Sequence, residues 1–292
     1  MTDHTTAQLR KILKNNDITA APGVFDALTA QVAARQGFEM LYMGGTATTA
    51  VVLGSPDVGI TTMDEMVDNA ARIVAATGLP LIADADNGYG NALNVRRAVR
   101  AFERAGVAGI HIEDQQSPKR CGLLAGKALI SLNEMLSKVK AGLDARTDSD
   151  FLIIARTDAA HIDTFDEAMD RCHAFEDAGA DMLFIVPPLS VEEIQRLKGR
   201  FKIPLMFHRD SSGRSPDMSL QELAACGHKL SIYPTALMFA SIKACGNVLA
   251  EIKKSGSLSG VMDQLSTFTD LEDVVEWKKI RALEEQYDAL AK

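Results

Sequence analysis

Leu79-Pro80-Leu81-Ile82-Ala83-Asp84-Ala85-Asp86 and, further along, Val107-Ala108-Gly109-Ile110-His111-Ile112-Glu113 are apolar runs that each end in acid. Runs of this length read as short buried strands whose C-terminal ends carry the charge. A carboxylate left unpartnered at a buried strand end is costly, so these ends call for a counter-charge. A divalent cation is the general remedy, and oxygen-only ligands suit magnesium or manganese. Lys119-Arg120-Cys121-Gly122, a basic, glycine-punctuated loop with one cysteine, follows the second acidic end. Residues 79–127 therefore predict a metal site with a catalytic loop beside it.

Outward from this stretch the same unit repeats. Strands are expected at 18–21, 39–43, 79–84, 108–113, 151–155, 182–186, 203–208 and 229–233, with helical spacing between them. Thr62-Met63-Asp64-Glu65 matches a capping box and starts a helix to about Thr77. Gly44-Gly45-Thr46 directly follows the second strand, which leaves backbone N–H groups free for an anion. Residues 47–61 read as a connection, 235–254 as a long helix, 255–260 as a Ser/Gly linker and 271–290 as a final polar helix. Eight strands alternating with helices imply parallel βαβ units, and that count fits a closed (β/α)8 TIM-type barrel. No Gly-x-Gly-x-x-Gly is present to support a dinucleotide fold. The expected division is a barrel over 1–257 and a helical extension over 258–292 that packs on a neighbouring subunit.

Composition narrows the function. With 292 residues, 47% of them hydrophobic, the chain has ample material for a large core. A net charge of −8 argues against nucleic acid as a partner. No apolar run is long enough to span a membrane, and the polar start Met1–Thr6 lacks a signal pattern, so a cytoplasmic protein is expected. The four cysteines, Cys121, Cys172, Cys226 and Cys245, form no C-x-x-C pair, against zinc and disulfides. Cys172 and Cys245 sit in helical patterns as small buried hydrophobes. Cys121 alone lies in a basic loop, where neighbouring Lys119 and Arg120 would favour its thiolate.

In barrels of this kind the site lies at the C-terminal strand ends, which here carry Tyr42, Gly44, Gly45, Asp84, Asp86, Glu113, Arg156 and His208. Asp84 and Asp86, two apart, either reach one ion together or form an Asx-type turn before Asn91. Glu113 could complete an oxygen shell, and Asp57 reads either as a water-mediated contact or as a turn residue after Pro56. Cys121 is a proton donor, base or nucleophile, or an incidental surface thiol. Arg156 suits developing negative charge or a structural pair with Asp158 or Glu113. His208 is a site base or a satisfied core histidine, and His111 reads as core or as support behind the site.

Asp84-Ala85-Asp86-x-Gly-Tyr-Gly, His111-Ile112-Glu113-Asp114-Gln115, Pro118-Lys119-Arg120-Cys121-Gly122 and Ile154-Ala155-Arg156-Thr157-Asp158 together resemble the isocitrate lyase/phosphoenolpyruvate mutase superfamily. Within it the chain is most similar to the methylisocitrate lyase and 2,3-dimethylmalate lyase branch, from about Pro22 to the C-terminus. The resemblance implies a (β/α)8 barrel, magnesium (or manganese), a small carboxylic acid substrate and a homotetramer with its eighth helix exchanged between subunits. It assigns Asp84 to the metal directly and Asp57, Asp86 and Glu113 to its waters. Tyr42 and the backbone of Gly44, Gly45 and Thr46 would hold the keto-acid carboxylate, and Arg156 the oxygen that becomes the carbonyl. Lys119–Gly122 would lie on a gating loop, with Cys121 as the acid.

The implied reaction is cleavage of a malate-type 2-hydroxy acid. A base takes the hydroxyl proton, the C2–C3 bond breaks in a retro-Claisen sense, and Cys121 protonates the departing carbanion. Three positions depart from the lyase pattern. Leu123 replaces a loop histidine, Val186-Pro187-Pro188 stands where a glutamate is usual, and His208 stands for an asparagine. These losses point to a smaller or more apolar substituent, as in 2,3-dimethylmalate. Oxaloacetate decarboxylation or hydrolysis, and a carboxyphosphonoenolpyruvate-type phosphonomutase, are the competing activities.

Overall fold

Alternation with period two along the apolar runs decides which side chains face the barrel interior. The computed structural model describes residues 4–122, 124–186 and 189–290. Its parallel strands are β1 (Thr19–Pro22), β2 (Leu41–Met43), β3 (Leu81–Asp84), β4 (Gly109–Glu113), β5 (Leu152–Thr157), β6 (Met182–Ile185), β7 (Leu205–His208) and β8 (His228–Tyr233). They pair in the order β1-β8-β7-β6-β5-β4-β3-β2. The remaining seam is drawn together where the Val24 N–H donates to the Tyr42 carbonyl at 2.9 Å. The result is a nearly closed (β/α)8 barrel.

Two apolar layers follow from the alternation. Ile82, Leu152, Ile154, Met182, Phe184, Met206, Leu230 and Ile232 point inward and pack together. Leu9, with Ile12 and Leu13, joins that inner cluster from the N-terminal helix α1 (Thr5–Asn15). Outward-facing residues such as Ala83, Ile110, Ile153 and Leu183 pack under the helices. One such helix, α5 (Ala92–Arg104), shows why the layer forms. Val95, Ala98, Val99 and Phe102 recur on one face, and Asn91 caps the start through the Leu93 and Asn94 N–H groups. Gly106, at φ 82°, turns the chain away in a conformation that suits glycine. Burying Phe102 alone contributes about 1.5–3 kcal/mol.

Three expectations need correction. Residues 45–53 form a helix, α3 (Gly45–Leu53), although Thr and Val make it a poor helix former; burial of Ala47, Thr48 and Thr49 outweighs propensity. The final helix is two, α12 (Phe268–Val274) and α13 (Trp277–Leu290), parted at Glu276 with φ 54°. The helix after β8, α11 (Ala236–Ser255), has only Met238 buried. Cys245 is therefore exposed, whereas Cys172 is buried as expected. Among the described residues, no helix is long and apolar enough to cross a membrane.

Candidate active site

The inward positions that lead up β2 to β7 end in Tyr42, Asp84, His111, Glu113, Arg156, Phe184 and His208. Period two, which makes the strands amphipathic, therefore also delivers the polar residues to one mouth. Most of them line a cavity of about 50 Å³, which also touches Gly44, Gly45, Thr46, Asp57, Lys119, Cys121, Gly122 and Val186. The expected site residues come together at this mouth; Asp84 and Asp86 lie just behind the cavity wall.

Asp84 is held from two sides. Its carboxylate accepts from the Gly45 N–H at 3.0 Å and from the Asp86 N–H at 2.9 Å. The second contact is the Asx-type turn, and Asp86 lies past the end of β3 at φ 49°. The two acids thus do not share a strand face. One of the N–H groups expected to be free for an anion, that of Gly45, is also taken. Thr46 and Ala47, next in the first turn of α3, have no capping side chain.

Lys119 occupies the centre of the acidic cluster. Its ammonium group stands 2.6 Å from Asp57 and 2.5 Å from Asp86, and all three side chains are buried. A Cβ on Gly45 would come within 3.1 Å of this ammonium group and of Asp84. Glycine is what lets the backbone approach them. Neither neighbouring cation turns to the cysteine: Lys119 is spent on Asp57 and Asp86, and the Arg120 guanidinium donates to the Ala125 carbonyl. Cys121 instead accepts from Thr46 Oγ1 at 3.1 Å, and the same hydroxyl reaches Asp57.

Arg156 pairs with Glu113 at 2.8 Å and with Asp158 at 3.1 Å. Both structural pairings considered for it are present. Burial, reinforced by the charge of Asp158, pushes Glu113 above the ordinary carboxylate range despite Arg156. Burial pushes Asp86 up to about 7, opposed by Lys119 and reinforced by Asp84 and Asp57. Asp84 moves the other way: burial would raise it, but Lys119, Arg156 and the Asp86 N–H help hold it low. His111 is pushed down to about 4 by burial and is neutral at pH 7. Its Nε2 meets the Tyr42 hydroxyl at 2.8 Å and its Nδ1 lies 3.5 Å from Asp84, so it supports the site from behind. His208 is likewise pushed down to about 4, chiefly by burial, and its Nε2 has no hydrogen-bond partner among the described residues.

Among the described residues, no three His, Cys, Asp or Glu side chains stand at metal-holding spacing. The charge balance nevertheless fits a divalent cation. Counted as ionised, five buried carboxylates (Asp57, Asp84, Asp86, Glu113, Asp158) face three buried cations (Lys119, Lys127, Arg156), a formal surplus of two negative charges. That surplus joins burial in pushing Asp86 and Glu113 upward, and a divalent cation would offset it. Glu113 Oε1 also lacks a hydrogen-bond partner among the described residues. Hard oxygen donors with that surplus charge suit magnesium.

Several contributors escaped the sequence reading. Phe184 forms one wall, and it was findable as the inward neighbour of Val186. Lys127 and Asp114 brace the site from behind, as set out below. Leu123, Pro187 and Pro188, where departures were noted, lie outside the described residues.

Residues 9–253 match the phosphoenolpyruvate phosphomutase family. The 2,3-dimethylmalate lyase of Eubacterium barkeri is 43% identical over 97% of this chain and 98% of its own length. A 2-methylisocitrate lyase of Aeropyrum pernix is 40% identical over 91% and 86%. Among solved structures, an oxaloacetate acetylhydrolase bound to 3,3-difluorooxalacetate superposes with TM-score 0.92 at 35% identity, covering 98% of this chain and 97% of the other. A phosphonopyruvate hydrolase complexed with oxalate and magnesium superposes with TM-score 0.88 at 29% identity, covering 98% and 99%.

Proposed function

The chain belongs to the phosphoenolpyruvate mutase/isocitrate lyase superfamily and is an enzyme of it, and on that premise we propose a magnesium-dependent carbon–carbon lyase. Its substrate is a substituted malate-type 2-hydroxy acid, cleaved to an α-keto acid such as pyruvate and a carboxylic acid. The observation that carries this reading is the placement of Cys121. Its thiol lines the same cavity as Arg156 and Glu113, on a loop whose Gly122 sits against Arg156.

Asp84, with Asp57, Asp86 and Glu113 around it, would hold magnesium, or manganese in its place. The ion would supply charge stabilisation at the hydroxyl and carboxylate oxygens of the substrate. Arg156 steadies negative charge on the oxygen that becomes the carbonyl. The Thr46 N–H in the first turn of α3, with Gly44 and the Tyr42 hydroxyl beside it, binds the carboxylate, while the Gly45 N–H stays on Asp84. Lys119 holds Asp57 and Asp86 in place. Cys121 delivers a proton to the carbanion, and Gly122 closes the cavity against water. Phe184 and Val186 make the opposite wall apolar, which favours a substituent of the 2,3-dimethylmalate kind over one with an extra carboxylate.

The test is magnesium-dependent keto-acid release from 2,3-dimethylmalate, 2-methylisocitrate, isocitrate, citramalate and oxaloacetate, with wild type and Cys121→Ser. Pyruvate from dimethylmalate, lost in the variant, is expected. Turnover of oxaloacetate alone, indifferent to Cys121, would replace the lyase with an oxaloacetate decarboxylase or hydrolase. That second reading draws support from the likeness to oxaloacetate acetylhydrolase. Phosphorus NMR on phosphonopyruvate tests the phosphonomutase alternative.

The exposed face of α11, with Phe239, Ile242, Leu249 and Ile252, supports a homotetramer that exchanges this helix between subunits. Residues 258–292 would pack on a neighbouring subunit alongside it. Light scattering after gel filtration reads the assembly directly.

A further inference from the structure

Lys127, at the end of the loop that follows β4, has no part in the chemistry above, yet its side chain is 1% exposed. Its ammonium group donates to the Gly122 carbonyl and, at 2.8 Å, to Asp158 Oδ1. Gly122 in turn rests on Arg156: a Cβ there would lie 3.0 Å from Arg156 Nη2 and 2.7 Å from Val186 Cγ1. Arg156 closes the circuit by donating to Asp158 through Nε at 3.1 Å and Nη2 at 3.4 Å. Arg156, Asp158, Lys127 and Gly122 thus form a ring with one side in the barrel and the other in the loop.

The barrel side of this ring is anchored. The Asp158 N–H donates to Asp114 at 3.0 Å, Thr157 Oγ1 to Asp114 at 2.7 Å, and Arg171 pairs with Asp114 at 3.1 Å. The loop side is tied before Gly122 by Lys119 to Asp57 and Asp86, by the Cys121 N–H to the Asp57 carbonyl at 3.0 Å, and by Gln115, whose side-chain amide exchanges two hydrogen bonds with the Arg120 backbone. Beyond Gly122, Lys127 is what carries the loop back to the barrel side of the ring. A cavity of about 50 Å³ holds a few water molecules, at roughly 10–15 Å³ each. A branched diacid fills more than this, which favours entry with the loop displaced. Displacement separates Gly122 from Arg156 and removes one partner of Lys127.

We propose that Lys127 is a positioning residue that ties closure of the loop bearing Cys121 to the orientation of Arg156, through Asp158. The closed arrangement gives the ammonium group both a carboxylate and a carbonyl, charge-assisted contacts in a water-poor setting. Loss of Lys127 leaves the Asp158 side chain to Arg156 alone and takes the Lys127 donor from Gly122, so the closed loop loses the fastening that runs through Asp158 to Arg156. The assignment rests on the proposed function in one respect, that Arg156 and Cys121 face the substrate.

The experiment is alkylation of Cys121 by iodoacetamide, read by peptide mass spectrometry, with and without magnesium and oxalate. Lys127→Met and Asp158→Asn are compared with wild type at oxalate concentrations that calorimetry shows to be saturating for each. Oxalate is expected to slow alkylation by about tenfold or more in wild type and by under about twofold in both variants. Wild-type protection retained in both folded variants overturns the role of Lys127 and leaves the proposed function standing. No oxalate binding or protection in wild type overturns the proposed keto-acid site, and the positioning role with it. Loss of the folded barrel in both variants, seen by circular dichroism, makes the pair a fold support and overturns the inference.

Discussion

Across the barrel mouth, the ends of β2–β5 and the ends of β6–β8 bury unlike chemistry. The first side gathers Asp84, Glu113 and Arg156, with Asp57, Asp86 and Lys119 from the loops, and almost every charge has a partner within 3.1 Å. The second presents Phe184, Val186 and a neutral His208 whose Nε2 has no hydrogen-bond partner among the described residues. Phe184 and Val186 are as buried as the acids across from them, so burial does not distinguish the two sides; charge does. A buried charge is stable only with a partner, which makes the first side a rigid electrostatic frame suited to bond breaking. An apolar wall selects by withholding partners from any charged substituent, which suits the second to substrate choice.

The sharpest way to break this division is on the charged side. Asp84→Asn removes a charge from the frame and is expected to cut keto-acid release about 10³-fold or more, with the barrel intact by circular dichroism. Wild type treated with EDTA should lose turnover and regain it with magnesium. Full activity in either case would remove the electrostatic role. Cys121→Ser comes next, with an expected loss of about 10²–10⁴-fold in kcat. A change confined to KM would make the thiol a binding group instead.

Smaller effects belong to the apolar side. Val186→Ala should lower the preference for 2,3-dimethylmalate over citramalate by about 10–200-fold, measured as a ratio of kcat/KM values. An unchanged ratio would move substrate selection elsewhere. His228, at the start of β8 and so at the end of the barrel away from the mouth, gives the smallest effect, through stability. Burial pushes its pKa down to about 4, although a hydrogen bond to the Leu223 carbonyl works the other way. The unfolded chain takes this proton near the ordinary value of about 6.5. Stability present above that pH should therefore fall as pH drops through the window to about 4. His228→Gln is expected to flatten the slope, read as denaturation midpoints between pH 7 and 4.

Legibility differed between elements for physical reasons. The eight strands could be read because an apolar run bounded by turn residues is a local signal, and the runs ending in Asp84 and Glu113 appear as β3 and β4. Helix α3 could not, since glycine and β-branched residues argue against a helix that burial nonetheless enforces. At the site, the residue types at the strand ends were legible, and their partners were not. Lys119 seemed to belong with Cys121 in sequence, yet its charge goes to Asp57, 62 residues away. Asp86 looked like a strand partner of Asp84 and instead turns its backbone N–H onto it.

From sequence alone came the barrel and the mouth at which the acids, Arg156 and Cys121 collect. Periodicity and strand polarity are properties of a few neighbouring residues, so no fold is needed to read them. Only the tertiary structure decided which cation meets which carboxylate, that His111 stands behind Tyr42, and that Lys127 joins Gly122 to Asp158. Such pairings depend on how loops distant in sequence return over the strand ends. Electrostatic energy depends on distances in space and on burial, neither of which is written in the order of residues.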